Sequence, residues 1–153
     1  PNTTWESKRW PTEYWKQLLD ILCKKNIPTI LIGKCFGHQA DSMAEYIKDN
    51  QLPVLIAPPW NLITTAHLLK KTSLLVAPDT GLLHLGDFLG INTIGIFGPT
   101  LANKHGPFLC QQNRKNNIQI SCPHRYKKEH ENENCMKKLT PKQLFSQIIN
   151  VSY

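Results

Sequence analysis

The stretch that decides the fold is SLLVAPDTGLLH, at residues 73–84. Its first five residues, 73–77, form a short apolar run of the kind that becomes a buried parallel strand. Pro78 and Asp79 end this run, and a helical pattern over residues 80–89 begins at Thr80. A strand followed by a tight junction and a helix predicts one βα unit of a parallel sheet.

The same alternation continues on both sides of this stretch. Apolar spacing predicts a helix entered at Pro11-Thr12 and ended near Asn26, helices at 41–48 and 62–70, and strands at 29–32, 54–56 and 93–97. We therefore predict an α/β fold, a Rossmann-like parallel sheet with helices on both faces. Residues 101–138 are polar and predicted to be loop-like, with one strand candidate at 118–120. Thr140 and Pro141 then predict the cap and first turn of a final helix.

The length of 153 residues suits one domain. Because the chain begins at Pro1 on a polar stretch, we expect it to be an excised part of a longer protein. Its 41% hydrophobic and 19% charged residues are ordinary for a soluble globular protein. No apolar run approaches the ~18 residues that a membrane-spanning helix needs, and no signal-peptide pattern opens the sequence.

The cysteine content and the net charge indicate the redox compartment and the kind of partner. The five cysteines are an odd number at irregular spacing, which argues for a reducing cytoplasm and against a secreted disulfide framework. The net charge of +7 favours an anionic partner, such as nucleic acid, a phosphorylated small molecule or an anionic membrane. Charge alone does not distinguish these partners from one another. It is equally compatible with a solvated basic surface that binds no partner. The GxGxxG pattern of nicotinamide and flavin sites is absent.

Two segments carry candidate chemistry. Ligands of open α/β sheets bind where a strand ends and the next helix begins, and Asp79-Thr80-Gly81 is such a junction. The free amides of its first turn favour an anion, and Gly81 lets a phosphate approach the backbone. Lys8, among hydroxyl residues before the first helix, also suits a diphosphate. The alternatives are a helix cap with a turn glycine, and a solvated loop.

Together these segments resemble glycosyltransferase family 9, the ADP-heptose:lipopolysaccharide heptosyltransferases. The matching segments, in the family's order and spacing, are Thr4-x-x-x-Lys8-x-Trp10-Pro11, Asp79-Thr80-Gly81-Leu82-x-His84 and Phe97-Gly98-Pro99-Thr100. The resemblance spans nearly the whole chain and implies the C-terminal, donor-binding half of a two-domain GT-B fold. It implies inverting transfer of heptose from ADP-heptose to the lipopolysaccharide inner core. The general base is expected in the N-terminal acceptor domain, outside residues 1–153.

Carried over residue by residue, the resemblance assigns the donor diphosphate to Thr4 and Lys8. The backbone amides of Thr80, Gly81 and Leu82 hold it from the other side. Asp79 matches the aspartate that hydrogen-bonds the heptose hydroxyls. The resemblance thus implies that this part of the site binds and stabilises the leaving group, ADP, without a metal.

The remaining assignments concern the rest of the donor. Trp60 falls at the family's adenine contact, where it would stack on the base, with a core or surface tryptophan as the alternative. His84 is predicted to orient the loop or contact phosphate, with a packed structural histidine as the alternative. Gly98 and Thr100 are predicted to line the pocket floor. The family's acidic ribose contact has no clear counterpart, and Gln39 or Asp41 are the candidates.

Cys122-x-His124 and His130-x4-Cys135 suggest a zinc site, since two Cys and two His can close a tetrahedron. Their spacing matches no zinc motif, so we predict a plain loop, no metal and no cofactor. The predicted partners are the ADP-heptose donor and the lipopolysaccharide core acceptor, met peripherally at the inner membrane surface from the cytoplasm. Nucleic acid is not predicted, because the basic residues at 125–128 are interleaved with acidic ones. A GT-B domain for another nucleotide sugar and a non-catalytic nucleotide-binding module remain alternatives.

Overall fold

The computed structural model describes residues 3, 5–32, 38–123, 125–129 and 134–152. Its strands are β1 (Thr29–Leu31), β2 (Val54–Ile56), β3 (Leu74–Pro78), β4 (Asn92–Phe97) and β5 (Ile118–Gln119). Its α-helices are α1 (Thr12–Lys24), α2 (His38–Asp49), α3 (Leu62–Leu69), α4 (Gly81–Phe88), α5 (Ala102–His105), α6 (Gln111–Lys115) and α7 (Pro141–Ser152). Short 3-10 turns lie at Glu6–Lys8 and Cys135–Lys138.

All strand pairs in the described ranges are parallel, as the sequence predicted, but they form two hydrogen-bonded sheets. β1 pairs with β2, with Thr29 opposite Val54. In the other sheet β4 lies between β3 and β5. Because β3 and β4 run side by side in one direction, residues 79–80 and 98–100 emerge at the same edge of the sheet. That edge positions the candidate site.

Helices cover both faces of the strands, which confirms the predicted layers. The first helical layer contains α1, α2 and α7, whose Trp15, Met43 and Leu144 are buried in one cluster with Ile94 and Ile96 of β4. The second helical layer contains α3 and α4. Its cluster joins their residues Leu69 and Leu83 to the opposite face of the strands, where the contributing residues are Leu75, Ala77 and Phe97. Alternate side chains along β3 and β4 thus pack into two separate apolar clusters, one on each face of the sheet.

Two predictions need correction. The sequence predicts a buried strand at 29–32, but each residue of β1 is only half-buried, because β2 is its only strand partner among the described residues. Residues 101–138 were expected to be loop-like, yet they contain α5, α6 and a 3-10 turn. Helices of one turn are too short to repeat an apolar spacing, so periodicity cannot reveal them.

The predicted start of the last helix is confirmed in detail. Gln143 N donates to Thr140 Oγ1 at 3.3 Å, and Thr140 N donates to Gln143 Oε1 at 2.9 Å. This reciprocal pair is a capping box, and Pro141 takes the first helical position. None of the helices in the described ranges combines the length and apolar character that crossing a bilayer requires.

Candidate functional site

Three side chains meet where β3 and β4 end. Asp79 follows β3, Thr100 follows β4, and Lys8 ends the 3-10 turn before α1. Lys8 Nζ lies 2.6 Å from Asp79 Oδ2, and Thr100 Oγ1 donates to the same oxygen at 2.8 Å. The side chains of Lys8 and Asp79 are 15% and 9% exposed, so the pair is largely shielded from water. The structure thus brings together two residues that the sequence assigned to one site.

The start of α4 lies next to this cluster. Thr80 is the N-cap in extended conformation, and no side chain caps the helix. The N–H groups of Gly81 and Leu82 therefore lack an intrahelical acceptor. A Cβ built on Gly81 would meet no heavy atom within 4 Å, so the space in front of these donors is open. Free donors at the positive end of a helix, with a lysine alongside, favour a bound anion.

The Lys8 turn is held by a segment more than a hundred residues away. Ser7 is fully buried; its N–H donates to Lys128 O at 3.0 Å and its hydroxyl to Lys127 O. Trp10 is also fully buried, and its Nε1 donates to Leu139 O at 2.9 Å. Lys8 therefore extends from a turn that is anchored on both sides. Sequence reasoning missed these anchors, because backbone carbonyls carry no residue signature.

The loop at residues 98–100 is also held from two sides. Gln119 Nε2 lies within 3.2–3.4 Å of the carbonyl oxygens of residues 97, 98 and 100, and its Oε1 accepts from Ala102 N at 2.8 Å. On the other side, a Cβ on Gly98 would overlap Met136 Sδ. Gln119 thereby positions Thr100, which in turn orients Asp79. Gln119 was not among the predicted site residues, and its position in an edge strand offered no signal.

The other predicted residues are less closely tied to this cluster. Thr4 lies outside the described residues. His84 Nε2 is 3.8 Å from Asp79 Oδ1 with a side chain 41% exposed, so it borders the same carboxylate from the solvent side. Trp60 is 40% exposed in the loop between β2 and α3. Within the described ranges no hydrogen bond or ring contact joins it to the cluster, and its adenine contact stays a prediction.

The structure separates the two ribose candidates. Gln39 Nε2 donates to Trp10 O at 2.7 Å, which fixes the side chain next to the Lys8 turn. Gln39 Oε1 is buried and has no partner in the described part of the chain, although buried acceptors are nearly always satisfied. Asp41 is exposed on the first turn of α2. Of the two candidates, Gln39 is therefore the one that the structure ties to the Lys8 turn; residues 33–37 lie outside the described ranges.

Asp87 is a buried carboxylate at the far end of α4. Its oxygens accept from Asn113 Nδ2 at 2.9 Å and from the N–H groups of residues 108–110 at 2.9–3.2 Å. Burial acts to raise the pKa of Asp87, but these hydrogen bonds outweigh it, so the pKa lies below its ordinary value. Asp87 fastens the segment before α6 and takes no part in the site. The sequence did not flag it, because a single acidic residue on a helix usually faces solvent.

Cys122 and Cys135 are both buried. Burial and a hydrogen bond with Cys122 raise the pKa of Cys135 to about 12. The Cys135 thiol is therefore protonated at neutral pH in the metal-free chain. The histidines of the zinc alternative, His124 and His130, lie outside the described residues. In the ranges that are described, no three His, Cys, Asp or Glu residues cluster as metal ligands would.

The arrangement defines a class of protein: a parallel α/β fold with a candidate ligand site at the carboxyl ends of its strands. Lys8 supplies the charge, the start of α4 supplies backbone donors, and Asp79 supplies an acceptor for hydroxyl groups. A cavity of about 660 Å³ beside α5, bordered by Leu101 and Lys104, shares none of the three clustered side chains. The candidate diphosphate site is therefore the cluster and not this cavity.

The sequence profile of glycosyltransferase family 9 (heptosyltransferase) matches residues 1–139. The chain belongs to that family. It is 31% identical over 100 residues to lipopolysaccharide heptosyltransferase 1 of Pseudomonas aeruginosa, covering 64% of this chain and 27% of the relative. It is 23% identical over 150 residues to lipooligosaccharide heptosyltransferase 2 of Campylobacter jejuni, covering 95% and 48%.

Solved structures agree with this assignment. The structure of Escherichia coli heptosyltransferase WaaC with ADP superposes with a TM-score of 0.76 at 25% identity, over 98% of this chain and 42% of that one. A family 9 glycosyltransferase from Veillonella parvula superposes with a TM-score of 0.77 at 17% identity, over 99% and 44%, a likeness of fold alone. The chain thus spans less than half the length of these proteins.

Proposed function

We propose that this chain is the C-terminal, donor-binding domain of a GT-B glycosyltransferase that transfers heptose from ADP-heptose to the lipopolysaccharide inner core. The observation that carries the proposal is the contact between Lys8 and Asp79 at the open start of α4. Membership of family 9 supports the reaction class. Solved relatives bound to ADP and to ADP-2-deoxy-2-fluoro heptose support the donor.

In the structure, the two charges of the site pair with each other. When the donor binds, its diphosphate takes the place of Asp79 beside Lys8, and the amides of Thr80, Gly81 and Leu82 donate to it. The sugar hydroxyls then donate to the Asp79 carboxylate. Each charge exchanges one partner for another, so neither is left unpaired in the shielded site. Thr4 belongs to the same proposal as a second ligand of the diphosphate.

The same groups favour departure of ADP. Negative charge accumulates on the diphosphate as the bond to the sugar breaks, and fixed amide donors with a lysine stabilise it there. Thr100 keeps Asp79 oriented toward the sugar through the bond between their side chains. His84 borders Asp79 from solvent and orders the loop. Trp60 stacks on adenine, and Gln39 accepts from the ribose.

We place the acceptor site and the general base in a separate N-terminal domain. The relatives are more than twice as long as the matched segments, which supports a second domain. This chain alone should therefore bind ADP without turnover. Normal heptosyl transfer by residues 1–153 alone would contradict the assignment.

The setting we propose is the cytoplasmic surface of the inner membrane, with peripheral contact. A net charge of +7 suits an anionic donor, a phosphorylated acceptor and an anionic leaflet. Binding to vesicles of neutral and anionic lipid, compared at two salt concentrations, tests this part. Binding that does not depend on anionic lipid contradicts it.

Calorimetry with ADP, UDP, GDP and ADP-heptose tests the donor. We expect ADP to bind at least roughly tenfold more tightly than UDP or GDP, which corresponds to about 1.4 kcal/mol. ADP-heptose should bind at least as tightly as ADP, through the hydroxyl contacts of Asp79. Tighter binding of UDP or GDP indicates a different nucleotide sugar. Absence of binding to all four compounds rules out a donor domain.

A further inference from the structure

The cavity beside α5 lies in the connection between β4 and β5, apart from the Lys8–Asp79 cluster. Its volume of about 660 Å³ falls within the range of about 300–1,000 Å³ that is usual for small-molecule sites. Two cationic side chains line it, Lys104 from α5 and Arg114 from α6. No acidic side chain is among the described residues on its walls.

The positive charge of the chain is concentrated around this cavity. Six of the 18 Lys and Arg residues, and none of the 11 Asp and Glu residues, lie between Asp87 and Glu129. The rest of the chain is therefore almost neutral. Neither Lys104 nor Arg114 forms an ion pair with another described residue. Two uncompensated cations on the walls of one concave site attract an anion.

The wall that carries Arg114 is fixed by a buried network. Asp87 accepts hydrogen bonds from the N–H groups of residues 108–110 and from Asn113, which directly precedes Arg114. Arg114 in turn donates to Phe108 O. The network thus holds the cavity wall in place without any ligand, and a site formed in advance loses less free energy on binding.

The remaining polar surface indicates the kind of anion. Asn103 and Asn117 line the cavity, together with the exposed side chain of Phe108. An amide side chain both donates and accepts, so it can bind hydroxyl groups in either direction. The arginine fork matches a phosphate or a carboxylate with two parallel hydrogen bonds. This combination fits a sugar that carries an anionic group better than an extended polyanion, which needs a continuous charged groove.

One residue connects the cavity with the candidate donor site. Gln119 lines the cavity, and its Nε2 lies within 3.2–3.4 Å of the carbonyl oxygens of residues 97, 98 and 100. Thr100 of the same loop donates to Asp79, and the next residue, Leu101, borders the cavity. A group in the cavity is thus separated by this one loop from the sugar held at Asp79.

We propose that the cavity binds an anionic sugar of the acceptor. Lys104 and Arg114 contact its phosphate or carboxylate, and Asn103 and Asn117 contact its hydroxyl groups. Because a loop separates the cavity from Asp79, the bound unit is a neighbour of the sugar that receives the heptose. The assignment to the acceptor rests on the proposed function, whereas the binding of an anionic sugar does not.

Nuclear magnetic resonance of the ¹⁵N-labelled chain tests the binding without turnover. Glucose 6-phosphate, glucuronate, glucose and inorganic phosphate are titrated with and without ADP. We expect at least one of the two anionic sugars to shift the signals of residues 103–119, with a Kd roughly tenfold or more below that of glucose and of inorganic phosphate. Lys104→Gln combined with Arg114→Gln should raise this Kd roughly tenfold or more. Lys115→Gln is the matched control, since Lys115 is exposed on α6 and does not line the cavity.

Several outcomes would overturn the proposal. One is the absence of shifts with either anionic sugar, and another is a set of shifts that ADP abolishes, because the sugar then occupies the donor site. Equal affinity for inorganic phosphate or for glucose, or a Kd that the double substitution leaves unchanged, would do the same. Failure of ADP to bind contradicts the proposed function and leaves the sugar titrations valid. A parent-like spectrum outside residues 103–119 shows that the double variant is folded.

The source of the sugar is tested in the protein completed by its N-terminal domain. The double substitution should raise the KM for the acceptor several-fold with little change in kcat, because it removes contacts remote from the reacting atoms. An acceptor stripped of its phosphate and carboxylate groups should not distinguish the variant from the parent. An unchanged KM for the anionic acceptor would overturn the assignment to the acceptor.

Discussion

Replacing Lys8 by Met tests whether the ion pair with Asp79 is the diphosphate site. A lysine about 4 Å from a phosphate contributes up to about 4 kcal/mol at an effective dielectric constant of about 20. Part of this is offset, because Lys8 must leave the Asp79 oxygen that lies 2.6 Å away. We therefore expect a net loss of about 2 kcal/mol, or roughly 30-fold in the Kd for ADP.

The second arm of the test is Asp79→Asn in both backgrounds. Without Lys8, the Asp79 carboxylate faces the diphosphate and repels it. Asp79→Asn should then recover about 1 kcal/mol of ADP affinity in the Lys8→Met protein, and the two changes should not add. Lys16→Met is the matched control, since Lys16 pairs with Glu13 on α1. It should leave the Kd unchanged.

Calorimetry with ADP and adenosine at low and moderate salt measures these effects. Adenosine carries no phosphate, so its affinity should not respond to Lys8. The loss of ADP affinity caused by Lys8→Met should become smaller as the salt concentration rises, because salt screens the attraction between Lys8 and the diphosphate. Lys8 is not a diphosphate ligand if the Lys8→Met protein binds ADP within twofold of the parent, or if it loses adenosine affinity to the same extent.

Further predictions concern the supports of the site and of the fold. Asp87→Asn should lower the free energy of unfolding in urea at pH 7 by about 2–4 kcal/mol, because donors then face an amide. Since the folded pKa of Asp87 is lowered, its contribution is present above an unfolded pKa near 3.9 and is lost as the pH falls through the folded pKa. The free energy of unfolding of the Asp87→Asn variant should therefore lack this fall at acid pH. Parallel profiles of unfolding free energy against pH for parent and variant would contradict this expectation. Gln119→Ala should weaken ADP binding roughly three- to tenfold by releasing the 98–100 loop, whereas Gln112→Ala on α6 should not; equal effects contradict a positioning role. Gly98→Ala should cost about 1–3 kcal/mol through overlap with Met136, and less in a Met136→Ala background; an unchanged cost there would show that the overlap is not the cause.

Much of the fold is predictable because it depends on spacing. The apolar runs and helical faces before residue 100 place nearly every strand and helix within a residue or two. The division of the strands into two hydrogen-bonded sheets could not be predicted, because pairing across a sheet depends on residues distant in sequence. α5 and α6 were not predicted from the sequence for a different reason. Each is a single turn, and one turn has no period.

The candidate site shows the same division. Lys8 and Asp79 stand at junctions that local sequence reveals, and the structure places them in contact. The residues that hold Lys8 and Asp79 in place are distant from them in sequence. Gln119 and Ser7 act through backbone carbonyls, and a carbonyl is present at every residue. Such contacts carry no compositional signal until the fold brings the partners together.

The anchoring of the Lys8 turn bears on how such domains can be recombined. Ser7 bonds to the backbone at 127–128, and Trp10 bonds to Leu139. A chimera with one crossover between these segments would join one parent's lysine turn to another parent's support. We expect such hybrids to fold yet present Lys8 poorly. Exchange of donor preference between relatives should therefore transfer residues 5–10 and 125–139 together, as one inherited unit.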